Sequence, residues 1–115
     1  MTAARSYIDS LHDILEAIQN AISFVGEMSF ASFRDDTRTI YAVVRALEII
    51  GEATKRIPQD VRDKYPDLPW REMASMRDKL MHDYFGVDLV VVWKTIFEDL
   101  PNLEEAINKV ISDFE

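Results

Sequence analysis

DLVVVWKTIFEDLPNLEEAINKVISDF, residues 88–114, is the stretch on which the fold class turns. Its β-branched run Val90–Val92 would suit a strand taken alone. Yet Val92, Trp93, Ile96, Phe97, Leu100, Leu103, Ile107, Val110, Ile111 and Phe114 recur at the three- and four-residue intervals of one helix face. No turn-flanked apolar run elsewhere offers such a strand a partner. The stretch therefore predicts a helix capped by Asp88, with a kink at Pro101.

Working upstream, Tyr7, Ile8, Leu11, Ile14, Leu15, Ile18, Ile22 and Val25 share the same spacing, with Asp9, Asp13, Glu16 and Gln19 between them. This is a first helix. Gly26 and the stretch FASFRDD break the pattern, after which Asp35 or Asp36 can cap a second helix. Its buried stripe holds Ile40, Val43, Val44, Leu47 and Ile50, and it is expected to end at Ile57, before Pro58. Three of the four prolines fall between Pro58 and Pro69. They mark a connector with room for one helical turn around Gln59 to Lys64. Pro69 suits a first helical position, and Trp70, Met73, Ala74, Arg77, Leu80 and Met81 take one side of a third helix expected to end near His82. The expected fold is all-α, an antiparallel four-helix bundle forming one domain over residues 1–115, with a short extra turn in the connector at 58–69.

Composition bounds the function. An apolar fraction of 48% over 115 residues is enough for one modest core. No run of apolar residues is long enough to span a bilayer, and MTAARSYIDS lacks the basic-then-apolar plan of a signal peptide. A soluble, cytoplasmic protein with no membrane association is expected. With no cysteine and two histidines, thiolate chemistry is excluded and little remains for a metal centre, so no cofactor is expected. A net charge of −8 argues against broad binding to a phosphate backbone, so any RNA site must be local.

Chemistry concentrates in MRDKLMHDYFGVD, residues 76–88, where Arg77 is followed by Asp78, then His82, then Tyr84. Residues five apart lie roughly 140° around a helix axis, so Arg77 and His82 do not converge within one straight helix. Either the helix ends at His82 or the site is intermolecular. The segment resembles the Arg-x4-His motif of HEPN ribonucleases, and its extension to Tyr84 resembles the HepT-like toxins of two-component toxin–antitoxin operons. RALEIIGEATKRIP at Arg45–Pro58, the connector, and VVWKTIFEDLPNLEEAI at Val91–Ile107 are similar to that family too. The resemblance implies a homodimer in which both motif helices face one composite cleft. It also implies that a cognate minimal nucleotidyltransferase antitoxin adenylylates Tyr84, and a bulky anionic nucleotide there would block RNA.

The residue types support that chemistry by themselves. Histidine titrates near neutrality and can take a proton from an RNA 2′-hydroxyl or give one to the departing 5′-oxygen. Arginine presents a planar fork of donors to phosphate oxygens and stabilises charge growing in the transition state. Asp78 can hold either group in orientation. The 2′-hydroxyl is the nucleophile, so no metal is needed, the product carries a 2′,3′-cyclic phosphate, and DNA resists.

Blander readings stand beside these. Arg77 can be a surface charge, His82 structural, and Tyr84 packing against Trp93 or Phe97. His12 reads as solvated. Glu48 and Glu52, one turn apart beside Arg45, Lys55 and Arg56, read as helix-surface ion pairing. Gly51 within a helical stripe marks a close helix contact. Arg34, Arg38, Arg71 and Lys79 default to solvation, and Met28, Met73, Met76 and Met81 to core or interface filler. A competing function is a noncatalytic HEPN module that binds nucleotide or docks on a nucleotidyltransferase. A third is a plain dimerisation bundle.

Overall fold

The computed structural model describes residues 3–82 and 86–115, with side chains described for 7–80 and 86–115. Its principal helices are α1 (Ala3–Val25), α3 (Thr37–Thr54), the pair α5 (Trp70–Ala74) and α6 (Met76–Leu80), and the run α7 (Leu89–Lys94) to α8 (Leu100–Phe114). Two short helices lie between them, α2 (Phe30–Asp35) and α4 (Gln59–Lys64). The all-α expectation holds, and the connector turn falls at the residues expected.

The core follows from the periodic stripes. Leu11, Ile14 and Ile18 of α1, Val43, Leu47 and Ile50 of α3, and Leu100, Ile107 and Val110 of α8 are buried in one cluster. Helix α1 packs against both α3 and α8, and α3 packs against α5 and α6. Burying each large aliphatic side chain contributes about 1.5–3 kcal/mol, so this seam, with α1 against both α3 and α8, holds the scaffold for everything built on α3. Among the described residues no helix is long and apolar enough to cross a membrane.

Local chemistry sets the boundaries. Gly26, at φ +53°, ends α1. Asp36 caps α3 by accepting from Thr39 N at 3.0 Å, which settles the choice between Asp35 and Asp36. FASFRDD is not the break it reads as: it contains α2, whose N-cap Ser29 accepts from Ser32 N at 3.1 Å. Phe33 of α2 is fully buried, and Trp93 of α7 lies 5.3 Å from its ring and 5.5 Å from that of Phe30. Aromatic burial thus makes a helical turn out of a stretch with little periodicity.

Helix α3 ends at Thr54 rather than Ile57. Thr54 Oγ1 donates to Ile50 O at 2.6 Å, and Arg62 of α4 donates through Nη2 to Thr54 O at 2.8 Å and through Nε to Ile57 O at 3.1 Å. Arg62 thereby ties the end of α3 and the residues just after it to α4, where the chain turns early into the connector. Trp70 Nε1 donates to Tyr65 O at 2.9 Å, closing the connector onto α5.

The last helical run also departs from expectation. Pro101 opens α8 and is preceded by a five-residue π turn, Thr95–Asp99, closed by Leu100 N–H to Thr95 O. A proline clashes with the carbonyl four residues back and cannot donate to it. One extra residue in the turn takes up that misfit where a simple kink was expected. The run Val90–Val92 is helical, as its period requires.

Candidate active site

The third helix is not continuous to His82. Ser75, at φ −94° and ψ 15°, separates α5 from α6, and α6 stops at Leu80. Gly51 explains where the pair sits: a Cβ built on it would lie 3.4 Å from the carbonyl oxygens of Met73 and Ala74 and 3.5 Å from Met76 Cβ. The backbone on either side of the bend rests close on α3 here, with the nearest atoms at contact distance from a Cβ, the close contact read from the sequence.

After Leu80 the chain forms β1 (Met81–His82), which pairs antiparallel with β2 (Gly86–Val87), His82 opposite Gly86. Asp88 N donates to Leu80 O at 2.8 Å, and the Asp88 carboxylate accepts from Val90 N and Val91 N at 3.1 and 3.2 Å. One residue thus closes the hairpin and caps α7. Gly86 has φ +139°, a backbone conformation other residues adopt only with strain. Because the helix ends before His82, the angular objection to an Arg77–His82 site within one chain no longer applies. The imidazole of His82, and the whole of Tyr84, lie outside the described residues.

Arg77 does not share a side with Met73 and Leu80, as the helical spacing suggests it would, and is exposed, as the surface-charge reading has it. Met76 and Leu80 take the buried face of α6, and the Arg77 side chain is 73% exposed. Its Nε lies 3.6 Å from Glu48 Oε2 on α3, whose side chain is only 28% exposed. That separation is an ion pair rather than a hydrogen bond. A guanidinium approached along its Nε side keeps its two terminal nitrogens available for a phosphate. Glu48 is the residue the sequence reading missed: it pairs with another element, not with its own helix surface. The signal available was an acidic residue on the α3 helix that also carries Gly51, three residues from the contact with the motif. Glu52, by contrast, pairs with Arg45 at 3.4 Å as read.

The Asp78 side chain is exposed, and no described residue forms a hydrogen bond or ion pair with it. Lys79 bonds Asp99 of the π turn at 3.1 Å. His12, read as solvated, contacts Glu115 at 3.2 Å. Met73 and Met76 are buried core, as read. Beside the motif lies an open groove of about 600 Å³ between α3 and β2, lined by Ile40, Tyr41, Val44, Glu48, Val87 and Leu89 among others.

Residues 14–110 match the family described as HepT-like, ribonuclease HepT-like. "Probable ribonuclease HepT" of Thermococcus cleftensis is 54% identical over 106 residues, covering 92% of this chain and 96% of its own length. A protein of Methanocaldococcus jannaschii named as a candidate RNase is 48% identical over 91% of this chain and 87% of its own length. One from Caldanaerobacter subterraneus, named in the same way, is 40% identical over 96% of both. No solved structure gives a match. An all-α core, a motif segment whose helix stops just before its histidine, and likeness along nearly the whole chain converge on one assignment: the chain belongs to the HepT-like ribonuclease family.

Proposed function

We propose that the chain is a metal-independent endoribonuclease toxin, a single HEPN-like domain over residues 1–115 acting as a homodimer with a composite cleft. Arg77 binds the scissile phosphate and stabilises its growing charge, and His82 carries the proton transfers, one histidine per protomer serving as base and acid. Asp78, free of other described partners, orients one of them. A partner nucleotidyltransferase silences the toxin by adenylylating Tyr84. The observation that carries this reading is the exposed Arg77 on a helix that ends two residues before His82, in a chain of the HepT-like family.

Purified protein incubated with total RNA in EDTA tests it. Cleavage leaving 2′,3′-cyclic phosphate ends, abolished by His82→Ala in a folded variant, is the expected result. Absence of cleavage by unmodified wild-type dimer would leave the noncatalytic module, which the acidic balance of −8 favours, as the better reading.

A further inference from the structure

We infer that the groove between α3 and the segment Gly86–Leu89 is a base-binding subsite for single-stranded RNA, with Tyr41 as its stacking face. The ligand class rests on the ribonuclease reading; the groove's position does not.

Two connections place the groove at the motif. Glu48 lines it and also holds Arg77 at 3.6 Å, so the groove's polar wall is the partner of the phosphate-binding candidate. Its opposite side is built from Gly86 and Val87, and Gly86 is the strand partner of His82. Arg77 and the groove thus share Glu48 as a common neighbour, and the groove adjoins the strand that pairs with His82. The lining divides as a nucleotide does, with apolar side chains of Ile40, Val44 and Leu89 for the base plane and one carboxylate for its N–H edge. The Arg77 guanidinium is paired to that carboxylate and does not itself line the groove.

Tyr41 supplies the second argument. It is 73% exposed, more than Phe24, Val90 or Phe97, the other large exposed apolar side chains among the described residues. It lines the groove beside the half-buried aliphatics Ile40, Val44, Val87 and Leu89. Unstacked RNA bases are held in this way, on an aromatic face beside a positive group. A flat aromatic rim also accounts for how an acidic protein engages RNA locally, because stacking adds affinity without adding positive charge.

The test uses full-length protein and a fluorescent octamer of 2′-O-methyladenosine, in which the attacking hydroxyl is blocked, read by anisotropy. An all-abasic octamer of equal charge is the control. Wild type and Tyr41→Phe should bind the base-bearing octamer equally. Tyr41→Ala should bind it ~5–150-fold more weakly, the range alanine substitution gives for one stacked base. Affinity for the abasic octamer should not change, nor should the oligomeric state by sedimentation. Equal weakening toward both octamers, unchanged affinity, or no binding by wild type overturns the inference. So does an altered oligomeric state, which would give the groove to a second copy of the chain. Because the octamer is not cut, failure of the cleavage assay and failure of the groove are separate results.

Discussion

Gly51→Ala should stabilise this protein, although Gly51 sits at the tightest helix contact near the motif. A helical glycine costs about 1 kcal/mol relative to alanine. The added methyl would meet two carbonyl oxygens at 3.4 Å and Met76 Cβ at 3.5 Å, ordinary contact distances that require no backbone shift. The expected net gain is roughly 0.5–1 kcal/mol, or about 2–6 °C in Tm for a domain of this size. Gly51→Val reverses the sign, because its γ-carbons have nowhere to go but into Met73 and Ala74, an overpacking cost of about 1–3 kcal/mol. Urea denaturation of both variants, followed by far-UV circular dichroism, reads the difference in midpoints. A Gly51→Ala variant less stable than wild type would refute the reasoning, showing that α5 and α6 rest closer on α3 than these distances allow.

Other outcomes follow from single features. Gly86→Ala meets no neighbour within 4 Å, so its cost is backbone strain at φ +139°, about 1–3 kcal/mol; RNA cleavage should fall more than global stability, as hydrogen exchange and activity assays measured together will show. Glu48→Ala should lower kcat in the wild-type background and have no further effect on Arg77→Ala. Independent losses in this double-mutant cycle would mean the 3.6 Å pair does not orient Arg77. Tyr65 donates to Asp113 at 2.9 Å, and partial burial first, then that carboxylate, holds its phenol above the ordinary value of 10.0. The protonated form is the one the fold favours, so its contribution is intact below pH 10 and lost as pH rises through the raised pKa. As pH rises above the ordinary phenol value of 10.0, wild-type Tm should fall more steeply than that of Tyr65→Phe, and parallel curves would contradict the assignment.

What the sequence made legible were the features with a period or a rule. The stripes of α1, α3 and α8 name their own core residues, Asp36 and Asp88 are caps by type and place, and the helical turn at Gln59–Lys64 sits between prolines that leave it no other length. What it hid were tertiary decisions. Helix α2 has no periodicity because one side chain, Phe33, is enough to bury it. The early stop of α3 depends on Arg62, eight residues downstream of Thr54. Arg77 shares the spacing of Met73 and Leu80, yet the bend at Ser75 shifts the phase and turns it outward. Glu48 could not be matched to Arg77 because nothing local brings together residues on two different helices.

The division of the motif segment into two five-residue helices sets an order of events. Helices that short have no stability of their own in water. α5 and α6 exist because Trp70, Met73, Met76 and Leu80 are buried against the rest of the molecule. The motif is accordingly a candidate foldon, able to open while the α1–α3–α8 seam stays closed, and its amides should exchange at a free energy below that of global unfolding. Assembly of the arginine site then becomes an equilibrium in its own right. A phosphate ligand that grips Arg77 would pull that equilibrium toward the closed form and register as slowed exchange in α6 long before it changed the melting of the whole.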